Sequence, residues 1–352
     1  MFGLIKTIFK ALGLLLLLAL VLVAVIAYRG GFLREVQPQF AGSCEVLELD
    51  GSAEDVLIDR ERGLAYLSLI DRRSLVRGEN VQGTVARVNL TARPFTVEQA
   101  LNSKPDHFRP HGLSLYSDDS GRRHLFAINH PVHRGSEPEM VELFRGSRLG
   151  GFDHVETFST PLMNAPNDLA AVGPRQFYVA NDAAEGRAKA AAQQFGIGFS
   201  TLVYVDGGDA RVVADDIASG GGINVAADGL TLFVAETAAQ RVRVLERVVP
   251  GGDVVDLMRI GVAMSPDNID VAENGELWVA GHPNTLQLIQ HFVNESPAPS
   301  KVVRITMNGE AVVKDVYADD GRRMSASSVG ATYENLLLVG SITERKILIC
   351  TM

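Results

Sequence analysis

Eight polar residues open successive copies of one recurring segment: Glu54, Asp55, His111, Asn167, Asp168, Asn224, Asp267 and Asn268. Their carboxylates and amides offer only oxygen, the donor calcium takes in shells of six to eight, whereas zinc favours His and Cys. An ion held by two or three carboxylates keeps residual positive charge. Over a carbonyl it would act as a Lewis acid and hold the oxyanion of a tetrahedral intermediate. His111 adds an imidazole that titrates near neutral pH and suits it to activating a water, and His130 ends the same repeat in NHP, within reach of a relay. His282, in GHPN, holds the matching place in the fifth repeat and is read as pocket lining. No GxSxG elbow occurs, so water is the expected attacker. A single Asn-Asp pair is more often a turn than a ligand, but these residues directly precede an apolar strand in repeat after repeat.

Those side chains need elements that bring them together. The six copies begin EDVLIDRERGLAYLSLID at Glu54, HGLSLYSDDSGRRHLFAINHP at His111, NDLAAVGPRQFYVAND at Asn167, INVAADGLTLFVAET at Ile223, DNIDVAENGELWVAGHP at Asp267 and SSVGATYENLLLVGS at Ser327. Each reads as a polar opener, an alternating apolar strand, a turn and a second apolar strand, which is the pattern of a β-hairpin. The openers recur roughly every 45–60 residues, close to the one-blade period of a β-propeller, and closure would gather them around one axis. The expected fold is therefore all-β, a six-bladed propeller with a central calcium-binding tunnel, preceded by an N-terminal hydrophobic helix. Among the remaining histidines, His107, His124, His133, His154 and His291 are read as structural or exposed, and Trp278 as core between blades.

With 352 residues, 46% of them hydrophobic, the chain suits one large domain. Its net charge of −9 argues against nucleic acid, which needs a basic face, and agrees with a divalent cation. At the N-terminus, Lys6 and Lys10 precede ALGLLLLLALVLVAVIA, an uncharged run ending before Tyr28 and Arg29. Residues 1–29 therefore read as a signal-anchor, or as a signal peptide cleaved after Val25-Ile26-Ala27, with the longer apolar run favouring the anchor. Either way residues 30–352 are exported, membrane-anchored on the extracytoplasmic side or secreted. Cys44 and Cys350 lie at the two ends of the repeat array, where a bond would close the ring; two unrelated thiols are the alternative.

The segments GSAEDVLID, RPHGLSLY, FAINHP, NAPNDLAAVGPRQFYVAND, DNIDVAENGELWVAGHP and LLLVGSITERKILIC resemble the paraoxonase (arylesterase/lactonase) family, and the resemblance runs from Leu33 to Cys350. It implies a six-bladed propeller with two calcium ions in its tunnel that hydrolyses lactones and aryl esters. It further implies that Glu54, Asn167, Asp267 and Asn268 hold a catalytic calcium, and that Asp55, Asp168 and the Leu113 carbonyl hold a structural one. His111 and His130 match the family's His pair, and Cys44 with Cys350 its terminal disulfide. One position departs: Gly221 stands where the family has a ligand Asn, leaving Asn224, through a shifted backbone, or a water to fill the place. Residues 184–200 are alanine-rich where the family has an aromatic-rich amphipathic helix that docks on lipid. Two other functions fit a propeller of this kind, a gluconolactonase-like sugar-lactone hydrolase and a non-enzymatic exported binding module.

Overall fold

The computed structural model describes residues 2–148 and 150–352. It opens with a helix, α1 (Phe2–Arg29), whose stretch Ile5–Arg29 has mean hydropathy 2.9 and is long and apolar enough to cross a membrane. Strand β1 (Ser43–Glu48) follows, and then five complete four-stranded sheets. Blade 1 comprises β2 (Ser52–Asp59), β3 (Leu64–Ile70), β4 (Thr84–Asn89) and β5 (Val97–Gln99). Blade 2 comprises β6 (Pro110–Ser117), β7 (Arg123–Asn129), β8 (Met140–Gly146) and β9 (Phe152–Phe158). Blade 3 is built from β10 (Pro166–Gly173), β11 (Gln176–Asn181), β12 (Ser200–Asp206) and β13 (Asp209–Ile217). Blade 4 takes β14 (Gly220–Val225), β15 (Thr231–Glu236), β16 (Arg241–Val248) and β17 (Asp253–Gly261). Blade 5 takes β18 (Ser265–Val271), β19 (Leu277–His282), β20 (Ser300–Asn308) and β21 (Glu310–Asp319). In blade 6, β22 (Ser327–Tyr333), β23 (Leu336–Ser341) and β24 (Lys346–Thr351) accept β1 as fourth strand, so both ends of the array share one sheet.

The molecule is thus a six-bladed propeller, and Cys44 is bonded to Cys350 where β1 and β24 face each other. Six apolar clusters fill the six spaces between blades. In one of them Val56 and Leu67 of blade 1 pack on Val329, Leu338 and Ile349 of blade 6, and in another Trp278 packs with Val339 and Leu348, as its sequence position suggested. Each fully buried Leu, Val or Phe in these seams contributes roughly 1.5–3 kcal/mol, so the seams carry the ring.

The innermost strands β2, β6, β10, β14, β18 and β22 touch one another in turn and line the axis. Each carries a pairing irregularity near its start, between Ala53 and Val56, Pro110 and Leu113, Pro166 and Asp168, Gly220 and Ile223, Pro266 and Ile269, and Ser327 and Val329. A bulge leaves its extra residue out of the ladder and re-aims the side chain. The residues caught inside these bulges include Glu54, Asp55, His111, Asn167, Asp267 and Asn268. Close packing of the inner strands also demands glycine: a Cβ on Gly112 would lie 2.3 Å from Asp168 Oδ1, and one on Gly222 2.6 Å from Asn268 Cα.

Because the strands alternate direction, the connection from second to third strand of each blade lies at the end where the inner strand begins. Three such connections hold α-helices, α2 (Arg72–Val76), α3 (Arg187–Gln193) and α4 (Thr285–Asn294), and that of blade 4 holds a single 3-10 turn at Thr237–Ala239. Asp71 caps the first through its side chain, and Asn284 the third. These helices, the 131–139 loop and the end of α1 form the rim around the tunnel mouth.

Candidate active site

Glu54 sits at the centre of the contacts at this mouth. Its Oε1 accepts a hydrogen bond from Asn268 Nδ2 at 2.9 Å, while Oε2 lies 3.5 Å from His111 Nε2 and 3.8 Å from the Arg72 guanidinium. Asn268 Nδ2 also donates to the Glu54 carbonyl at 3.1 Å, and Ser328 Oγ donates to the same oxygen at 2.6 Å, which ties blade 5 and blade 6 to blade 1. On the far side, Asn167 Nδ2 is 3.4 Å from Asp182 Oδ2. Asp267 Oδ2 meets His282 Nε2 at 3.1 Å.

Three oxygens in this set are buried without a hydrogen-bond partner: Glu54 Oε2, Asn167 Oδ1 and Asn268 Oδ1. An unpartnered buried oxygen costs about 1–3 kcal/mol, so three from different blades are not an accident of packing. Deeper in, Asp55 and Asp168 are better satisfied. Asp55 Oδ2 accepts from the Leu113 amide at 2.7 Å, and Asp168 accepts from the amides of Leu169 and Ile223, both at 2.8 Å. Leu113 thus reaches Asp55 through its amide. Asn224 stands apart, since its Nδ2 donates to the Ile269 carbonyl and its Oδ1 accepts from the Val225 amide.

Charge completes the picture. Burial, with Asp267 adding to it, pushes Glu54 up to about 8. Burial likewise carries Asp55 up to about 7, and holds Asp168 well above the usual carboxylate range. Among the described residues, one buried cation, Arg72, is paired with Glu54, and burying uncompensated negative charge costs several kcal/mol. Among the described residues, no three His, Cys, Asp or Glu side chains converge as a ready metal cluster. The open oxygens come from one carboxylate and two amides, a mixed hard set that fits a calcium-like ion and not zinc.

His111 and His130 face each other with ring centroids 4.7 Å apart. Burial first, and then the neighbouring Arg72, holds His111 well below its ordinary range, so it is neutral and able to accept a proton. Burial depresses His130 to about 4, against the opposing pull of Glu139, whose Oε2 lies 2.7 Å from His130 Nδ1. His111 Nδ1 and His130 Nε2 are both buried without partners. Of the other histidines, His124 bonds Asp118, His154 bonds Glu142, His291 bonds Ser296 and Thr343, and His107 and His133 are exposed.

Sequence reasoning passed over Arg72, Glu139 and Asp182. Arg72 follows the cap of α2 and donates to the Pro110 carbonyl at 3.1 Å. Asp182 follows β11, and Gln193 of α3 holds its carbonyl at 2.7 Å, so the alanine-rich segment braces the residue that bonds Asn167. None of the three belongs to the repeated opener, so its pattern does not point to them. Above His282, a cavity of about 420 Å³ is lined in part by Ile26, Phe32, Phe195, Thr237 and Leu288, which brings the end of α1 to the mouth. That end is fastened: Arg29 donates to the Ala238 carbonyl at 3.0 Å, and Thr285 donates through its amide to the Gly30 carbonyl at 2.9 Å.

Residues 79–352 match the family described as Arylesterase. The chain is 30% identical to human serum paraoxonase/arylesterase 1 over 326 residues, covering 89% of this chain and 90% of that protein. Among solved structures, a luciferin-regenerating enzyme superposes with a TM-score of 0.55 at 12% identity, over 89% of this chain and 96% of its own. A putative gluconolactonase does so with a TM-score of 0.51 at 12% identity, over 90% and 93%. These two likenesses speak for the propeller alone.

Proposed function

Because the chain belongs to the arylesterase family, it is a hydrolase of esters and lactones, and we propose that its reaction runs at the tunnel mouth with a calcium ion beside the His pair. The observation that carries this reading is the meeting at Glu54 Oε2. One buried, unpartnered oxygen stands 3.5 Å from the imidazole that would activate water. Glu54, Asn167, Asp267 and Asn268 would hold the catalytic ion, and Asn224, whose Oδ1 accepts one hydrogen bond from the Val225 amide, would offer it a remaining lone pair. Asp55, Asp168 and Leu113 would hold a second, structural one. A calcium ion held there would supply Lewis acidity to a substrate carbonyl and to its oxyanion.

The remaining work falls to side chains. His111, neutral and hydrogen-bonding to no side chain through Nδ1, takes the proton of the attacking water. His130 stands behind it to receive a proton in turn, and Arg72 adds fixed positive charge beside Glu54. His282 holds Asp267 and lines the entrance. We assign residues 1–29 to a retained membrane anchor and 30–352 to the catalytic domain, since Arg29 and Gly30 are built into the rim. A mature N-terminus near residue 28 would overturn the anchor.

The test is hydrolysis of a panel of lactones and aryl esters by the full chain in detergent, with chelator and then with calcium restored. Activity that vanishes and returns supports the reading; activity indifferent to chelator rejects it.

A further inference from the structure

Glu139 ends the 131–139 loop and is buried, although no repeat pattern points to it. Its carboxylate is gripped on both oxygens. His130 Nδ1 lies 2.7 Å from Oε2, and Arg134 Nε lies 3.0 Å from Oε1. Arg134 also donates to the Pro166 carbonyl at 3.1 Å, the residue before Asn167, and Ser159 Oγ donates to the Glu139 carbonyl at 2.9 Å. A carboxylate held this way is an acceptor only, so His130 must carry its proton on Nδ1. That leaves Nε2, buried and without a partner, as the basic atom on the ring that packs against His111.

We propose that Glu139 is the positioning residue of the hydrolytic site, fixing the tautomer and orientation of His130 so that Nε2 receives the proton His111 releases. This rests on the reading of His111 as the base. In the step, the water O–H bond breaks and its proton goes to one nitrogen of His111, while the proton on the other His111 nitrogen passes to His130 Nε2. The freed electron pair of the water forms the bond to the carbonyl carbon, and the carbonyl π pair moves onto oxygen. His111 ends neutral, His130 becomes an imidazolium, and the Glu139 carboxylate beside it balances the charge. Arg134 makes the same loop a brace for the Asn167 strand, so one short segment positions both the relay and a proposed ligand.

The experiment uses the full chain, saturated with calcium, as wild type, Glu139→Gln and Glu139→Ala. Ring-nitrogen resonances of ¹⁵N-labelled histidine report the tautomer, and turnover of a lactone active on the wild type reports the relay. Wild-type His130 is expected to be protonated on Nδ1, and Glu139→Ala to lose that preference while kcat falls about 10- to 100-fold with KM nearly unchanged. If Glu139→Ala fails to fold, Glu139→Gln keeps the shape and reports the same loss of charge. Arg134→Met removes only the other arm of the carboxylate and is expected to keep the tautomer. A folded Glu139 variant with kcat within twofold of wild type overturns the proposal, as does a wild-type His130 protonated on Nε2. Wild-type protein inactive on every ester and lactone would instead overturn the hydrolytic site; the ring measurement separates the two failures.

Discussion

His111 and His130 touch each other but have different partners, one facing Glu54 and the other Glu139. The difference predicts unequal variants: His111→Gln is expected to cut lactone turnover by about 10²–10⁴, and His130→Gln by less, with calcium binding and melting unchanged in both. Full activity in His111→Gln removes it as the base. Gly221 makes a second prediction, sharpened by its surroundings. A Cβ there would lie 2.6 Å from Thr237 Oγ1, which donates to the Pro266 carbonyl at 2.8 Å. Thr237 must therefore rotate away before an Asn at 221 can reach the ligand set. Gly221→Asn is expected to tighten calcium binding, at the expense of about 1 kcal/mol for the lost Thr237 bond. Isothermal titration of wild type, Gly221→Asn and the double variant with Thr237→Ala tests it, and equal affinity in all three dismisses the position. At this scale the repeated openers were legible, because each polar residue sits at a fixed place before an apolar run. Glu139, Arg72 and Asp182 were not, since they come from connections whose lengths and compositions differ between blades.

The hairpins of the inner two strands were readable from their apolar runs and turn residues, since both faces of each meet a neighbouring blade. Outer strands such as β5, exposed throughout, carry no such periodicity, and the short helices α2 and α4 are set by caps and by rim packing. The bulges were also hidden, for a bulge adds one residue without altering composition. They matter most, because they turn two adjacent residues of one strand toward different depths of the tunnel. Glu54 and Asn268 face the mouth, whereas Asp55 and Asp168 tie inner strands together through the amides of Leu113 and Ile223. Asn268→Ala is therefore expected to weaken the catalytic ion and lower activity at limiting calcium. Asp168→Ala frees two buried amides and is expected to lower the melting temperature more. Calcium titrations with parallel melting curves read both, and equal loss of stability with no change in activity at saturating calcium rejects two separate sites.

Closure decides whether any of these contacts persist, because a propeller has no central core and each blade is held by its two neighbours. Blade 6 is the vulnerable one. Its fourth strand, β1, comes from the other end of the chain and pairs along β24 from Ser43 to Glu48. The Cys44–Cys350 bond spans a sequence separation of 306 residues, and constraining a loop of that length in the unfolded chain stabilises by about 6 kcal/mol in the chain-entropy model. The sequence placed the two cysteines at the ends of the array, and the shared sheet explains why they meet. Reduction should let β1 peel away. Glu54 and Asp55 follow it by a few residues on β2, so loosening is expected to lower calcium affinity as well as the melting temperature. Melting and calcium titration of the full chain, before and after reduction under non-denaturing conditions, test the link, with mass spectrometry of a non-reduced digest locating the bond. A melt that does not shift on reduction would show that strand pairing and the seam between blades 1 and 6 hold the ring without it. A melt that falls while calcium affinity stays constant would confine the bond to closure and separate it from the site.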